Sequence, residues 1–228
     1  MQEAASIASS AHEKAMRNSR PGMGEWEIQA MVEGHFMSSQ SQWSFPSIVG
    51  GGDNATVLHY KDNNQVIGSG DLVLVDAGCE VSGYASDITR TWPVNGRFSQ
   101  PQREIYNLVL KAELAGIEAC QPGMPWVSMH EAVCVTIAEG LIELGVLNCT
   151  LEDALGRVAG KPGVFEGQIR NFFMHGTGHF LGLDVHDVGG GRQGDGRRLA
   201  RRCAAAAEPR GGPPERGAPR RAHRFPQA

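Results

Sequence analysis

Two aspartates, Asp76 and Asp87, stand eleven residues apart in apolar sequence and are the first candidates for chemistry. If they face each other across an antiparallel strand pair, their Cβ atoms lie roughly 5 Å apart and their charges repel. Burying two unpaired carboxylates is costly, and a hard divalent cation between them removes the conflict because such ions prefer carboxylate oxygens. The alternative is structural: one aspartate caps the intervening turn and the other pairs with Arg90.

Three histidines form the second candidate group, because His175, His179 and His186 fall within twelve residues. Glycines between the first two disfavour a helix, and in extended structure residues four apart face the same way. Neutral imidazole is a good ligand for manganese, cobalt, iron or zinc. Any one of them could be an ordinary core or surface residue, but three together favour chemistry. His59 precedes the strand of Asp76 and could line the same cavity.

A predicted hairpin positions the two aspartates. Leu72–Gly78 is a continuous apolar run, typical of a strand buried on both faces. Glu80–Gly83 indicates a turn, and Tyr84–Trp92 indicates the returning strand. A turn centred on Val81–Ser82 would place the two aspartates directly opposite each other.

The elements around this hairpin predict two similar halves. Apolar periodicity and capping signals predict helices over residues 2–18, 24–40, 102–120 and 129–144. Short strands are predicted at Val57–Tyr60 and Asn171–Met174. The tripeptide Pro-Gly-Met recurs, with an offset of 101 residues, between the two helices of each pair. This order predicts an α/β (α+β) fold with metal ligands on the strands of each half.

Composition indicates a globular protein without a membrane span. The 228 residues, 41% of them hydrophobic, are enough for one sizeable core. No apolar run reaches membrane-spanning length, and the N-terminus lacks the pattern of a signal peptide. Five cysteines, an odd number without a Cys-x-x-Cys pair, predict reduced thiols and a cytoplasmic location.

Charge divides the chain into two unlike parts. Residues 1–188 carry a net charge of -11, whereas residues 189–228 carry +7. The second part consists mostly of Arg, Ala, Gly and Pro without apolar periodicity, which predicts a disordered basic tail. G+C-rich codons encode the same four residue types, so a shifted reading frame would also produce this tail. We therefore expect one partial catalytic domain, residues 1–188, followed by the tail.

Four segments together resemble the bacterial Xaa-Pro aminopeptidase (aminopeptidase P) family: Leu58–Tyr60, Val75–Cys79, Asp87–Gly96 and His175–Val188. The resemblance covers about residues 1–188. The combination of Asp-Ile-Thr-Arg-Thr with His-Gly-x-x-His-x-x-Gly-Leu-Asp-Val-His-Asp separates this family from methionine aminopeptidase. It implies a pita-bread fold of two pseudo-symmetric α/β halves, incomplete at the C-terminus of this chain.

The resemblance also implies a site for two divalent ions, usually manganese. Asp76 would bind one ion, Asp87 would bridge both, and His179 would bind the other. Such ions would lower the pKa of a bridging water, and the resulting hydroxide would attack the carbonyl that precedes a proline at the second position of a peptide.

The remaining histidines match substrate-facing positions of the family. His59 and His186 would face the peptide, and His175 would support them. His186 and the metals would stabilise the developing oxyanion. The implied partners are therefore peptides with proline at position two.

The chain departs from the family in its ligands. The family carries two glutamate ligands, in Val-Glu-Pro-Gly and Ile-Arg-Ile-Glu-Asp strands, and neither Glu208 nor Glu215 has such a context. The family's larger N-terminal domain is also absent. Three of five ligands cannot complete a two-metal site, so we expect weak or no activity from the chain as written.

Two other functions stay open. One is a non-catalytic pita-bread module whose arginine tail makes nonspecific, salt-dependent contacts with nucleic acid; the retained metal-type side chains would then have no task. The other is a prolidase or creatinase. We expect no membrane partner and no specific nucleic-acid partner, and a homo-oligomer is compatible with each function.

Overall fold

The computed structural model describes residues 1–188, which fold into two halves. The helices are α1 (Gln2–Asn18), α2 (Glu25–Ser38), α3 (Gln100–Ala119), α4 (Val127–Glu143) and α5 (Leu151–Leu155). The strands are β1 (Gln42–Trp43), β2 (Ile48–Gly51), β3 (Leu72–Ala77), β4 (Cys79–Val81), β5 (Tyr84–Ala85) and β6 (Ile88–Pro93). The predicted tail lies outside the described residues, so its disorder stays a prediction.

The first half is a layer of two helices on antiparallel sheet. α1 and α2 pack against sheets of order β2-β3-β6 and β1-β4-β5. Small side chains let the α1 backbone approach the sheet closely, and the fully buried ones are Ala4, Ala8, Ala11 and Ala15. β3 buries only the face of Val73, Val75 and Ala77, so the prediction of two buried faces was half right. Asp76 lies on the other, half-buried face.

The second half consists of helices without a sheet among the described residues. α3 and α4 pack tightly because Gly140 lies beneath Leu108 and Gly116 lies against Val133. Ser99 caps α3: its hydroxyl accepts from the N–H of Gln102, whose side chain accepts from the N–H of Ser99 in return. The four predicted helices are therefore confirmed, each within a few residues.

The repeated Pro-Gly-Met tripeptide makes the same turn twice. Gly22, between α1 and α2, and Gly123, between α3 and α4, both have φ of +87°, a conformation that favours glycine. The repeat is thus a repeat of backbone geometry as well as of sequence.

Two predicted strands do not form. Asn171–Met174 follows a 3-10 helix at Gln168–Asn171, where the N–H of Phe173 bonds locally to the carbonyl of Ile169 at 2.8 Å. Val57–Tyr60 follows a 3-10 helix at Gly52–Thr56 and is irregular. Apolar and β-branched residues favoured strands here, but local hydrogen bonds satisfy the backbone instead.

The register of the central hairpin also differs from the prediction. Asp76 lies opposite Thr89 rather than Asp87. The turn centres on Ser82 and Gly83, which have φ of +52° and +81°, as in a two-residue hairpin turn of the primed type. Because the register shifts by two residues, each side chain stays on the predicted face of the sheet. Asp87, just after β5, is therefore a diagonal neighbour of Asp76 rather than its direct partner.

Two sequence expectations can be checked directly on this fold. No helix within residues 1–188 is long and apolar enough to span a membrane. Cys79, Cys134 and Cys149 are free thiols, as the cysteine count predicted.

Candidate metal and substrate site

Asp76 is a half-buried carboxylate with one oxygen left without a partner. Burial, and then the charge of Asp87, raise the pKa of Asp76 to about 6, while a hydrogen bond with Thr89 opposes the shift. Its Oδ1 is buried and accepts no hydrogen bond. A buried carboxylate oxygen without a donor is a place where a cation or a proton is favoured.

Asp87 meets His179 across 92 residues of sequence. The Nε2 atom of His179 lies 3.1 Å from Oδ2 of Asp87, and its Nδ1 lies 3.0 Å from the carbonyl oxygen of Phe180. Both neighbouring oxygens can accept a hydrogen bond from a ring N–H. The same Nε2 and Oδ2 atoms are of the types that bind divalent metals.

His186 and His59 complete this cluster. The ring of His186 stacks on that of His179, with centroids 3.9 Å apart and an interplanar angle of 13°. The charge of His59 acts on Asp76 and lowers its pKa, although less than burial and Asp87 raise it. The fold thus brings together five of the six predicted site residues, and both aspartates and all three histidines remain open to solvent in part.

His175 lies elsewhere, beside His130 of α4. Its Nδ1 is 2.8 Å from the carbonyl oxygen of Gly176. Its ring packs edge-on against the ring of Phe173, with the two ring centroids 4.7 Å apart. Both histidines line a cavity of about 200 Å³ in the second half. Burial, and then the charge of His175, lower the pKa of His130. From the sequence, His130 was predicted to be an ordinary helix residue. The fold shows that its Nδ1 lies 2.8 Å from the hydroxyl of Thr177, 47 residues further along the chain.

The segment that carries the three histidines is held from both halves. The N–H of Ala85 donates to the carbonyl of Gly182 at 2.9 Å, which ties the segment to β5. On the other side, Phe180 stacks on Trp126 with centroids 4.7 Å apart. Contacts to both halves therefore fix the segment directly after His179.

Small and polar residues hold the aspartates from below. The hydroxyl of Ser86 accepts from the N–H of Cys79 at 3.0 Å and donates to its carbonyl at 2.9 Å, which fixes the residue before Asp87. Buried His12 donates from Nε2 to the carbonyl of Ala77, next to Asp76, at 3.1 Å. Burial is the main cause that lowers the pKa of His12. Sequence reasoning missed this role, because the partner lies 65 residues away.

The donor set fits a metal site only in part. The aspartate pair and the Asp87–His179 pair share one carboxylate, and the oxygens and imidazole nitrogen are suitable ligands. Within residues 1–188, however, no group of three or more His, Cys, Asp or Glu side chains is arranged closely enough to hold a metal ion. The structural alternative paired Arg90 with one of the aspartates, but the guanidinium of Arg90 donates to the backbone carbonyl of Thr89 instead.

Comparison with known proteins identifies close relatives. Xaa-Pro aminopeptidase of Haemophilus influenzae is 44% identical over 210 residues, which is 92% of this chain and 47% of that protein. The enzyme of Escherichia coli is 41% identical over 190 residues, 83% of this chain and 41% of that protein. The chain spans less than half the length of these relatives.

Solved structures give the same result. The aminopeptidase PepP of Pseudomonas aeruginosa matches with a TM-score of 0.75 and 41% identity, over 84% of this chain and 42% of that one. Aminopeptidase P from Escherichia coli with the inhibitor Pro-Leu also matches with a TM-score of 0.75 and 41% identity, over 82% and 41% of the two chains. The expected pita-bread fold is confirmed for the part of those structures that this chain covers.

The family model for metallopeptidase family M24 matches residues 1–223. Together with the relatives at 41% to 44% identity, this match agrees with the resemblance that the aspartate and histidine motifs carry. The chain belongs to metallopeptidase family M24, the family of metalloaminopeptidases that includes Xaa-Pro aminopeptidase.

Proposed function

We propose that this chain carries part of a dinuclear metalloaminopeptidase site that acts on peptides with proline at position two. The observation that carries the proposal is the convergence of Asp76, Asp87 and His179, with the 3.1 Å contact between Asp87 and His179 at its centre. These three residues would hold divalent ions, with manganese as the proposed metal. A bound divalent ion supplies a Lewis acid and lowers the pKa of water that it binds.

The protein's own side chains would orient the peptide around this centre. His186 lies against His179 and can donate a hydrogen bond to the scissile carbonyl oxygen as it gains charge. His59, at the edge of the cluster, would contact the peptide backbone. His175 is proposed as a supporting residue, which requires the segment after Phe173 to move, because this histidine now faces His130.

Activity of the chain as written should be weak or absent. The two glutamate ligands implied by the family resemblance are not recognisable in the sequence, and within residues 1–188 no three His, Cys, Asp or Glu side chains lie close enough together to hold a metal ion. The free thiols at Cys79, Cys134 and Cys149 support a cytoplasmic location.

The test compares peptides at high protein concentration with added Mn²⁺. We expect slow release of the first residue from an Xaa-Pro peptide, none from the matched Xaa-Ala peptide, and loss of release in Asp87→Asn. Equal cleavage of both peptides, or cleavage that persists in Asp87→Asn, would contradict the proposed substrate and site. Rapid cleavage would contradict the expectation of weak activity, and cleavage restricted to dipeptides would favour a prolidase.

A further inference from the structure

Glu25, the first residue of α2, is a fully buried carboxylate with four hydrogen-bond donors. Its Oε1 accepts from the N–H of Gly51 at 2.8 Å and from the amide of Asn54 at 3.0 Å. Its Oε2 accepts from the hydroxyl of Tyr60 at 2.9 Å and from the N–H of Gln65 at 3.0 Å. Acidic side chains are seldom buried so completely, and the N-terminal end of a helix favours the negative charge.

The four donors belong to one loop, residues 51–65. They lie at its start, in its middle and at its end, so a single carboxylate holds these parts together. After Thr56 the loop contains no helix or strand of its own. Asn63 is a second anchor, because its Oδ1 accepts from the N–H of Val49 at 3.0 Å and its amide donates to the carbonyl of Ser47 at 2.8 Å. Polar side chains rather than regular structure therefore define the course of this loop.

The loop carries His59 next to the anchored Tyr60. The hydroxyl of Tyr60 donates to Glu25 and accepts from Asn54 at 3.0 Å, which fixes the ring from two sides. Burial and the contact with Glu25 raise the pKa of Tyr60, so its hydroxyl stays a donor. His59 itself has φ of +55°, a conformation that costs energy for residues other than glycine and needs support from its surroundings.

We propose that Glu25 is a positioning residue, which closes the loop of residues 51–65 and thereby holds His59 beside Asp76. A carboxylate is required because its two oxygens accept four bonds, whereas an amide offers one acceptor oxygen and would turn donors against Tyr60 and Gln65. The role of His59 toward a peptide rests on the proposed function, but the closing of the loop does not.

The first test needs no metal. In the 228-residue chain, backbone order parameters are measured by NMR for Glu25→Gln, Tyr60→Phe and the control Tyr106→Phe, whose ring lies on α3 against Phe98. The order parameter of His59 should fall from about 0.85 to below about 0.6 in the first two variants and stay unchanged in the control.

Val75 in β3 distinguishes positioning from general loss of stability. Its order parameter should stay unchanged in all three variants, because Val75 pairs with Val49 of β2 and Arg90 of β6 and is buried in the core of the first half. The proposal is overturned if His59 stays rigid in both loop variants, or if Val75 loosens as much as His59 does.

The second test uses Mn²⁺ alone as the probe. Paramagnetic broadening of the His59 ring protons should decrease several-fold in Tyr60→Phe, while Mn²⁺ affinity stays within about twofold of the wild type. Equal broadening in wild type and Tyr60→Phe would overturn the positioning role. If Mn²⁺ leaves the signals of Asp87 and His179 unchanged in the wild type, the proposed function fails, and the order parameters still decide the role of Glu25.

Discussion

Asp76 combines partial burial, a neighbouring carboxylate and an oxygen without a hydrogen-bond donor. These features explain why its pKa rises from 3.8 to about 6, with burial as the largest cause. A group whose pKa is higher in the folded than in the unfolded chain opposes folding once it ionises. Its unfavourable contribution is absent below about pH 4, grows between pH 4 and 6, and is complete above pH 6.

We expect Asp76→Asn to stabilise the metal-free chain above pH 6 and to leave its stability unchanged near pH 4. The pKa change corresponds to at most roughly 3 kcal/mol, and partial solvent exposure reduces the expected gain to about 1–2 kcal/mol. Urea unfolding at pH 4 and pH 7.5 measures this difference. Asp53→Asn, in the exposed part of the loop, is the control and should change neither value. Equal effects of Asp76→Asn at both pH values would contradict the conclusion that the ionised Asp76 carboxylate opposes folding.

Residue types and spacing predicted most of the candidate site but not its geometry. Asp76 and Asp87 share a hairpin face, and His179 and His186 share one segment, so these four lie in one region of the fold, while their roles stay predictions. Glu25 was missed, since its four partners lie 26 to 40 residues further along the chain. Only the packed fold shows that these groups meet.

At the scale of elements, Gly78 controls how β3 passes into β4. A Cβ atom at this position would overlap the carbonyl oxygen of Ser86 and lie 2.8 Å from the hydroxyl of Ser44. The two contacts are tied to each other, because the hydroxyl of Ser44 donates to the carbonyl of Ser86 at 2.8 Å and the N–H of Ser44 donates to the carbonyl of Gly78 at 2.9 Å. Neither neighbour can retreat without breaking these bonds.

We therefore expect Gly78→Ala to lower the free energy of unfolding by roughly 2–3 kcal/mol, as measured by chemical denaturation. Gly34→Ala is the matched control, because a Cβ atom at this position in α2 has no heavy atom within 4 Å. Alanine should stabilise that helix by about 0.5–1 kcal/mol. The close approach would be disproved if both glycines tolerated alanine equally.

Helices were easier to predict than strands for a physical reason. α2 and α3 begin with capping contacts from Glu27 and Ser99, and α1 buries alanines at helical spacing, so signals within each helix's own sequence suffice. The register of the hairpin depended on one turn, and Ser82 entered the left-handed region against the preference of its side chain. The predicted strand at Asn171–Met174 does not form, because strands need partners and none pairs with it in the described part of the chain.

At the scale of the whole molecule, the two halves are unequally covered. The sheet buries α1, whereas α3 exposes a stripe formed by Leu110, Leu114 and Ile117, which are 41%, 57% and 61% accessible. These residues are spaced by about one helical turn and form one continuous apolar face. Exposed apolar faces of this kind promote association.

We expect Leu110→Gln combined with Leu114→Gln to reduce concentration-dependent association, as measured by light scattering. The free energy of unfolding should change by no more than about 0.5 kcal/mol, because both side chains are exposed. Leu108→Gln, in the buried contact of α3 with α4, is the contrasting variant and should cost about 2–4 kcal/mol. Unchanged scattering in the double variant would exclude this stripe as the associating surface.

Calorimetric titration with Mn²⁺ tests most directly the proposed divalent metal site of Asp76, Asp87 and His179. We expect the wild type and the control Asp53→Asn to bind Mn²⁺ equally. Asp87→Asn should weaken binding by at least tenfold, because Asp87 is the carboxylate shared by both pairs. Absence of binding in the wild type, or equal affinity in Asp87→Asn, would contradict the claim.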